Sequence, residues 1–282
     1  MVETWTLLRL LRWTTDYFAE KGIDNPRLDA ELLLAHILKL DRVGLYLNFE
    51  RPLNADELNA IRPLVKRRGQ REPLQYLIGH TEFWSLEFDV TPAVLIPRGD
   101  TEILVEEALN RVEETGALLD VGTGSGAIAI SLASELPGWR ITGLDISSEA
   151  LEVAARNADK NAVAGQVQFL HGDLAELPQQ QYDLIVSNPP YIAQAEWDAL
   201  MPEVRCFEPQ QALLAADNGL ECYRKLAEQA SSRLIPGGWL LVEIGYQQAE
   251  TVSQLFKSAG LQDVFVRDDY AGQPRVVGGY HK

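Results

Sequence analysis

The sequence predicts an α/β protein built on a mostly parallel, doubly wound sheet, preceded by a small all-helical domain and a β-hairpin linker. Three observations carry this. From residue 116 onward, short runs of branched apolar residues alternate with segments of helical periodicity, the pattern of βαβ units. The first of these runs leads directly into Gly122-Thr123-Gly124-Ser125-Gly126, glycines placed between a strand and a helix, where backbone can come close to a ligand. The run 184–186 is too short for a helix and stops at Asn188-Pro189-Pro190-Tyr191, because proline cannot extend a ladder.

Residues 4–77 predict helices only. Leu7, Leu11, Thr14 and Phe18 share one face, with Gly22 as a stop. Asn25-Pro26 opens a second helix, with proline at a favoured first position. Asn54 with Glu57 three residues on is a capping box for a helix over 54–68, which Pro63 should kink or divide. Lys66, Arg67, Arg68 and Arg71 form the densest basic cluster. It fits either a solvated helix end that suits the macrodipole or a contact for an anionic partner. Over 82–90 the period changes to two, with Ser85 near a turn, which predicts a hairpin. Asp100-Thr101 then predicts a capping pair for a helix over 102–114. Strands follow at 118–121, 141–146, 167–170, 184–186, 239–244, 264–267 and 276–280. Helices are expected from after Gly126 to about 136, and at 148–162, 219–234 and 247–259.

Composition narrows the function. With 46% hydrophobic and 23% charged residues the chain has material for a full core. The net charge of -16 argues against non-specific affinity for nucleic acid or an anionic membrane. Cys206 and Cys222 make no disulfide framework or zinc spacing, and the four histidines are scattered, so no metal site is expected. The leucines near the N-terminus are interrupted by Arg9 and Arg12 and preceded by Glu3. That is an amphipathic helix rather than a signal peptide, and a cytoplasmic protein is expected.

The candidate site lies at the carboxyl ends of the strands, where open α/β sheets bind ligands. Asn188 offers an amide with donors and an acceptor, the Pro189 carbonyl is free to accept, and Tyr191 adds a flat ring. Such a turn suits a small planar polar group. In the loop Asp120-Val121-Gly122-Thr123-Gly124-Ser125-Gly126 the third glycine comes one residue earlier than in the dinucleotide pattern, and an acid precedes it. A carboxylate suits a cationic ligand better than a diphosphate. S-adenosylmethionine carries a sulfonium and an ammonium and no phosphate. Asp145, some 20 residues on, is placed to accept from ribose hydroxyls. Asp173, at the third strand's end, is placed near the adenine with Leu174 beside it.

Over about 94–282 the chain resembles the class I S-adenosylmethionine-dependent methyltransferases, with their Rossmann-like fold. Asn188-Pro189-Pro190-Tyr191 narrows the resemblance to enzymes that methylate amino and amide nitrogens. Further upstream, Pro73-Leu74-Gln75-Tyr76-Leu77-Ile78-Gly79, Glu82-Phe83-Trp84, Leu95-Ile96-Pro97-Arg98 and Thr101-Glu102, with Phe207-Glu208-Pro209 downstream, are similar to the peptide chain release factor glutamine methyltransferases. Gly99 stands where that family usually has proline, and Ser85 where it usually has glycine.

The resemblance implies a helical substrate-recognition domain over 1–77, a hairpin linker over 78–93 and a catalytic domain over 94–282. It implies S-adenosylmethionine as cofactor, and as protein partner the bacterial class 1 release factors, methylated at the glutamine of their Gly-Gly-Gln motif. No nucleic acid or membrane partner is expected, and the enzyme is expected to be a monomer. Asn188 and Pro189 would accept the two hydrogens of the substrate amide, Pro190 would stiffen the turn and Tyr191 would pack on the amide. Alternatives are a methyltransferase for a ribosomal protein glutamine, a DNA adenine methyltransferase, for which a basic recognition region is lacking, and a non-catalytic binding module.

Overall fold

The computed structural model describes residues 5–282. Residues 1–4, which include Glu3 and the start of the expected helical domain, lie outside the described residues. The chain divides into two compact units, residues 1–79 with 201–207, and residues 80–200 with 208–282.

The first unit is helical: α1 (Leu7–Glu20), α2 (Pro26–Leu38), α3 (Arg42–Leu47), α4 (Ala55–Gly69) and α5 (Leu74–Ile78). Leu7, Leu11 and Phe18 are fully buried in its core with Leu33, Leu34 and Leu45. Asn54 and Glu57 form the expected capping box, and α4 passes through Pro63 as one helix. Of the basic cluster, Lys66 and Arg67 are exposed in the last turn of α4, as expected of a solvated helix end, and the other two arginines are not. Arg68 is buried and ion-paired with Asp29 (2.7 Å) and Glu203 (3.0 Å), Arg71 pairs with Glu203 (2.6 Å), and Arg67 pairs with Glu72 (2.6 Å). Glu203 thereby brings the segment 201–207 into this unit, where the sequence expected it to belong to the span 94–282.

The second unit begins with β1 (His80–Phe83) and β2 (Leu86–Asp89), an antiparallel hairpin. Trp84 and Ser85 at its tip have φ of 51° and 58°, the left-handed pair that a tight two-residue hairpin turn requires. Ser85 thus takes the expected turn without glycine. A 3₁₀ turn, Gly99–Thr101, leads into α6 (Glu102–Leu109). That helix is shorter than predicted, and neither Asp100 nor Thr101 caps it through its side chain. Glu102 instead accepts from the Trp84 N–H (2.8 Å).

There follow β3 (Gly116–Val121), α7 (Ala127–Glu135), β4 (Trp139–Asp145), α8 (Ser148–Lys160), β5 (Val167–His171) and β6 (Tyr182–Ser187). After β6 come α9 (Pro202–Phe207), the short α10 (Ala216–Gly219), α11 (Glu221–Arg233), β7 (Leu234–Glu243), α12 (Ala249–Ser258), β8 (Gln262–Asp268) and β9 (Pro274–Tyr280). The sheet order is β5-β4-β3-β6-β7-β9-β8, parallel from β5 through β7, with β9 antiparallel to both of its neighbours.

Apolar burial on both faces of the sheet follows from the period of two. Leu118, Leu184, Val186 and Leu241 face the core formed with α6 and α7. Their chain neighbours Leu119, Ile185, Leu240 and Val242 face the core formed with α11 and α12. Strands covered on both faces carry continuous apolar runs, which is why β3, β6 and β7 are legible as short unbroken stretches.

Candidate functional site

The order of the strands reverses at β3, which lies between β4 and β6. The loops after β3, β4, β5 and β6 open there into a cleft of about 280 Å³ whose wall includes Gly122, Gly124, Asp145, Asp173, Leu174 and the Asn188-Pro189-Pro190 turn. Gly122 (φ 74°) and Gly124 (φ 56°) are left-handed, and a Cβ at Gly122 would meet nothing within 4 Å. Bare backbone is therefore presented to the cleft. Asp145 holds this loop with one oxygen, accepting from the Gly124 N–H (2.8 Å), and starts α8 with the other, accepting from the Ser147 N–H (2.9 Å). Burial raises its carboxyl pKa, against the pull of those N–H groups. Asp173 is exposed, and its Oδ1 accepts from the Ala175 N–H (2.7 Å).

Four residues expected at the ligand lie behind the wall instead. Asp120 is fully buried, and its Oδ2 accepts from the Thr123 hydroxyl (2.6 Å) and the Ala129 N–H (3.2 Å). It fastens the loop to the first turn of α7, which places a carboxylate where the helix dipole favours one. Thr123 is spent on that bond. Ser125 is buried, with its carbonyl accepting from Asn157 Nδ2 (2.9 Å). Gly126 is the residue that precedes α7, at φ 82°. These positions shape the loop and leave the contact surface to Gly122 and Gly124.

Burial pushes the Asp120 carboxyl up to about 7, and its Oδ1 has no hydrogen-bond partner. A raised native pKa means that the folded state keeps a proton which the unfolded state has released. The stability it contributes is full below the ordinary aspartate value of 3.8 and is lost as pH rises through about 7. Asp120→Asn removes the titration while keeping an oxygen for Thr123 and Ala129. The melting temperature of the variant relative to the native chain should therefore rise between about pH 5 and pH 8. A difference that stays constant with pH would place the proton elsewhere.

Asn188 is half-buried at the open end of β6, and its Nδ2 donates to Thr101 Oγ1 (3.1 Å). Its Oδ1 makes no hydrogen bond among the described residues and remains available as an acceptor. Pro189 is buried. The Tyr191 ring is not part of the cleft wall: it packs on the core beneath β6 and β7. Burial, and then the neighbouring Glu243, push its phenol up to about 12. The Tyr191 carbonyl accepts from Gln248 Nε2 (3.1 Å), and Gln248 Oε1 in turn accepts from the Tyr223 hydroxyl (3.2 Å) and the Gly245 N–H (3.0 Å). Gly219, at φ 85°, lies so close that a Cβ there would stand 2.2 Å from the Tyr191 carbonyl oxygen.

Sequence reasoning missed Thr101, Glu243, Gln248 and Gly219. Thr101 was read only as a helix cap, and Gly219 carried a turn signal in Asn218-Gly219, which ends three consecutive left-handed residues. Cys222 and Lys225 also line the cleft. Lys225 is paired with Glu221 (2.7 Å), and burial raises the Cys222 thiol to about 11.

The donor set suits a cationic ligand with hydroxyls and no phosphate. The cleft offers carboxylates, carbonyls and bare backbone, and its one lysine is already neutralised. S-adenosylmethionine fits this set.

A mostly parallel sheet with this order, a glycine loop after its central strand and an oxygen-rich cleft define a methyltransferase that draws its methyl group from S-adenosylmethionine. Residues 99–207 match the methyltransferase small domain family, and residues 9–79 match the PrmC N-terminal domain family. The chain is 51% identical over 278 residues to the release factor glutamine methyltransferase of Geobacter sulfurreducens, covering 98% of this chain and 97% of that one. It is 45% identical over 280 residues to the enzyme of the same name from Chlorobaculum tepidum, covering 95% of each. The chain belongs to the release factor glutamine methyltransferase family. Among solved structures, a methyltransferase from Pyrococcus furiosus shares the fold with a TM-score of 0.53 at 19% identity, over 69% of this chain and 88% of that one. The hMettl16 catalytic domain does so with a TM-score of 0.57 at 16% identity, over 71% and 77%. No helix among the described residues is long and apolar enough to cross a membrane.

Proposed function

We propose that the chain transfers a methyl group from S-adenosylmethionine to the side-chain amide nitrogen of the glutamine in the Gly-Gly-Gln motif of bacterial class 1 release factors. In this proposal it acts in the cytoplasm as a monomer, with neither nucleic acid nor membrane as a partner. The observation that carries the proposal is Asn188, held in the cleft wall by its own N–H with its carbonyl oxygen uncommitted. The two relatives named for this activity, alike over nearly their whole length, support the choice of substrate.

Gly122 and Gly124 would hold the cofactor, with Asp145, Asp173 and Leu174 along the adenosine. When bound, S-adenosylmethionine supplies a methyl group on a sulfonium, already activated for transfer. The chain's own task is to orient a poor nucleophile, since the lone pair of a primary amide is delocalised into its carbonyl. Asn188 Oδ1 and the Pro189 carbonyl accept the two amide hydrogens and hold the nitrogen in one pose. Orientation of this kind supplies several kcal/mol of the barrier. The same two acceptors stabilise positive charge as it grows on the nitrogen. Pro189 and Pro190 stiffen the turn, and Gln248 anchors it from behind. In this proposal the helical domain (1–77) grips the release factor away from its glutamine loop.

The test is transfer of labelled methyl from S-adenosylmethionine to purified release factor. Label should enter the protein with the native enzyme and fail to enter with Asn188→Ala. Equal labelling by both would overturn the proposal.

A further inference from the structure

Glu208, the first residue after α9, is buried, with 6% of its surface exposed. A carboxylate taken out of water is costly unless its oxygens find donors. Here both do, and neither donor is near in the chain. Oε2 accepts from the Ile96 N–H (3.2 Å), and Oε1 accepts from the Arg98 guanidinium. Glu208 thus joins stretches of chain 110 to 112 positions apart, all within the second unit.

Both stretches carry wall of the cleft. Val94 and Leu95 line it just before the residues that Glu208 holds, and Pro209, Ala212 and Leu214 line it just after Glu208. The later stretch has little structure of its own, only the 3₁₀ turn Gln210–Ala212. Its far end is tied to Ile192, whose N–H donates to the Leu213 carbonyl and whose carbonyl accepts from the Ala215 N–H, each at 3.0 Å. Residues 209–214 are therefore held at one end by the Glu208 side chain. At the other end they are held by the backbone that follows Asn188-Pro189-Pro190-Tyr191. This sets them on the β6 side of the cleft. Asp145 ends β4 and Asp173 follows β5, both on the other side of β3. The segment belongs to the end where the methyl acceptor is placed, away from the adenosine.

A glutamine side chain has an apolar stem and a planar amide. Asn188 Oδ1 and the Pro189 carbonyl suit the amide. The stem needs an apolar wall beside them, which Pro209, Ala212 and Leu214 offer. We propose that Glu208 is a positioning residue that fixes residues 209–214 as the seat of the substrate glutamine's stem. This rests on Asn188 receiving the substrate amide. Glu208 itself does not line the cleft, so it acts through that wall.

The experiment measures kcat and KM for purified release factor at saturating S-adenosylmethionine, cofactor Kd by calorimetry and melting temperature. The variants are E208Q, L214A, the two combined, R98A and N188A. The Ile96 N–H and the Arg98 guanidinium can only donate, and a glutamine at 208 meets one of them with its oxygen and turns its N–H₂ on the other. E208Q should therefore lower kcat/KM by about ten-fold or more, with cofactor Kd changed less than about two-fold, since only the seat is displaced. L214A should lose in the same parameter. The combined variant should lose less than the product of the two single losses, because both act on one wall. Losses that multiply would overturn the proposal, as would a native kcat/KM for E208Q or a loss matched by an equal loss of cofactor affinity. If E208Q does not fold, R98A decides, since the Arg98 side chain is 38% exposed and its truncation is tolerated. A reduced kcat/KM at native Kd then supports the proposal, and an unchanged kcat/KM overturns it. If N188A is inactive while E208Q is native, only the role of Glu208 falls. If N188A is itself active, both fall.

Discussion

Asn188→Ala should lose methyl transfer by about 100-fold or more while keeping its fold and its affinity for S-adenosylmethionine. The side chain is outside both apolar cores and only half-buried. Its single hydrogen bond goes to Thr101, so truncation costs about 1 kcal/mol of stability. The loss falls on the rate, because one of two acceptors that orient the nitrogen and stabilise its developing charge is gone. Asn188→Asp separates the two ends of the amide. It keeps an acceptor oxygen but loses the donor to Thr101 and adds a charge. Measurable turnover, well below native, is expected. Single-turnover rates at saturating cofactor would show this, and near-native rates for the alanine variant would remove Asn188 from the chemistry.

Gly219→Ala should cost both activity and stability, although the residue touches no substrate. At φ 85° an alanine is strained by about 1–3 kcal/mol. Its Cβ would also lie 2.2 Å from the Tyr191 carbonyl and 2.8 Å from Gln248 Nε2. Backbone must move, and the nearest backbone is the turn that carries Asn188 and Pro189. A displacement approaching 1 Å at an orienting group costs on the order of 100-fold in rate. Gly237→Ala is the matched control: φ is 95° and a Cβ there meets nothing within 4 Å. It should melt earlier yet keep its rate. Equal kcat values for the two variants would mean that Gly219 does not hold the turn.

The parts of the site legible in the sequence are those whose neighbours in the chain are also their neighbours in space. Asn188 follows a buried strand directly, and the glycine loop joins β3 to α7 without interruption. Asp120 was legible as an acid before that loop but not as a buried anchor, because which face of β3 it occupies depends on the helix packed above it. Thr101 has the form of a helix cap, and nothing local to it shows that it accepts from Asn188, 87 positions further on. The basic run 66–71 misled for the same reason, since Glu203 lies far downstream. Gly219 was absorbed into a predicted helix. Asn218-Gly219 is a turn signal, and giving it priority over helical periodicity would have started the helix only after Gly219, at α11.

Mass mapping of release factor after incubation with enzyme and labelled S-adenosylmethionine tests the central claim most directly. One methyl group should be found, on the side-chain nitrogen of the glutamine in the Gly-Gly-Gln motif. An unmodified motif in the presence of folded, cofactor-bound enzyme, with label instead on a ribosomal protein glutamine or on adenine in DNA, would contradict it.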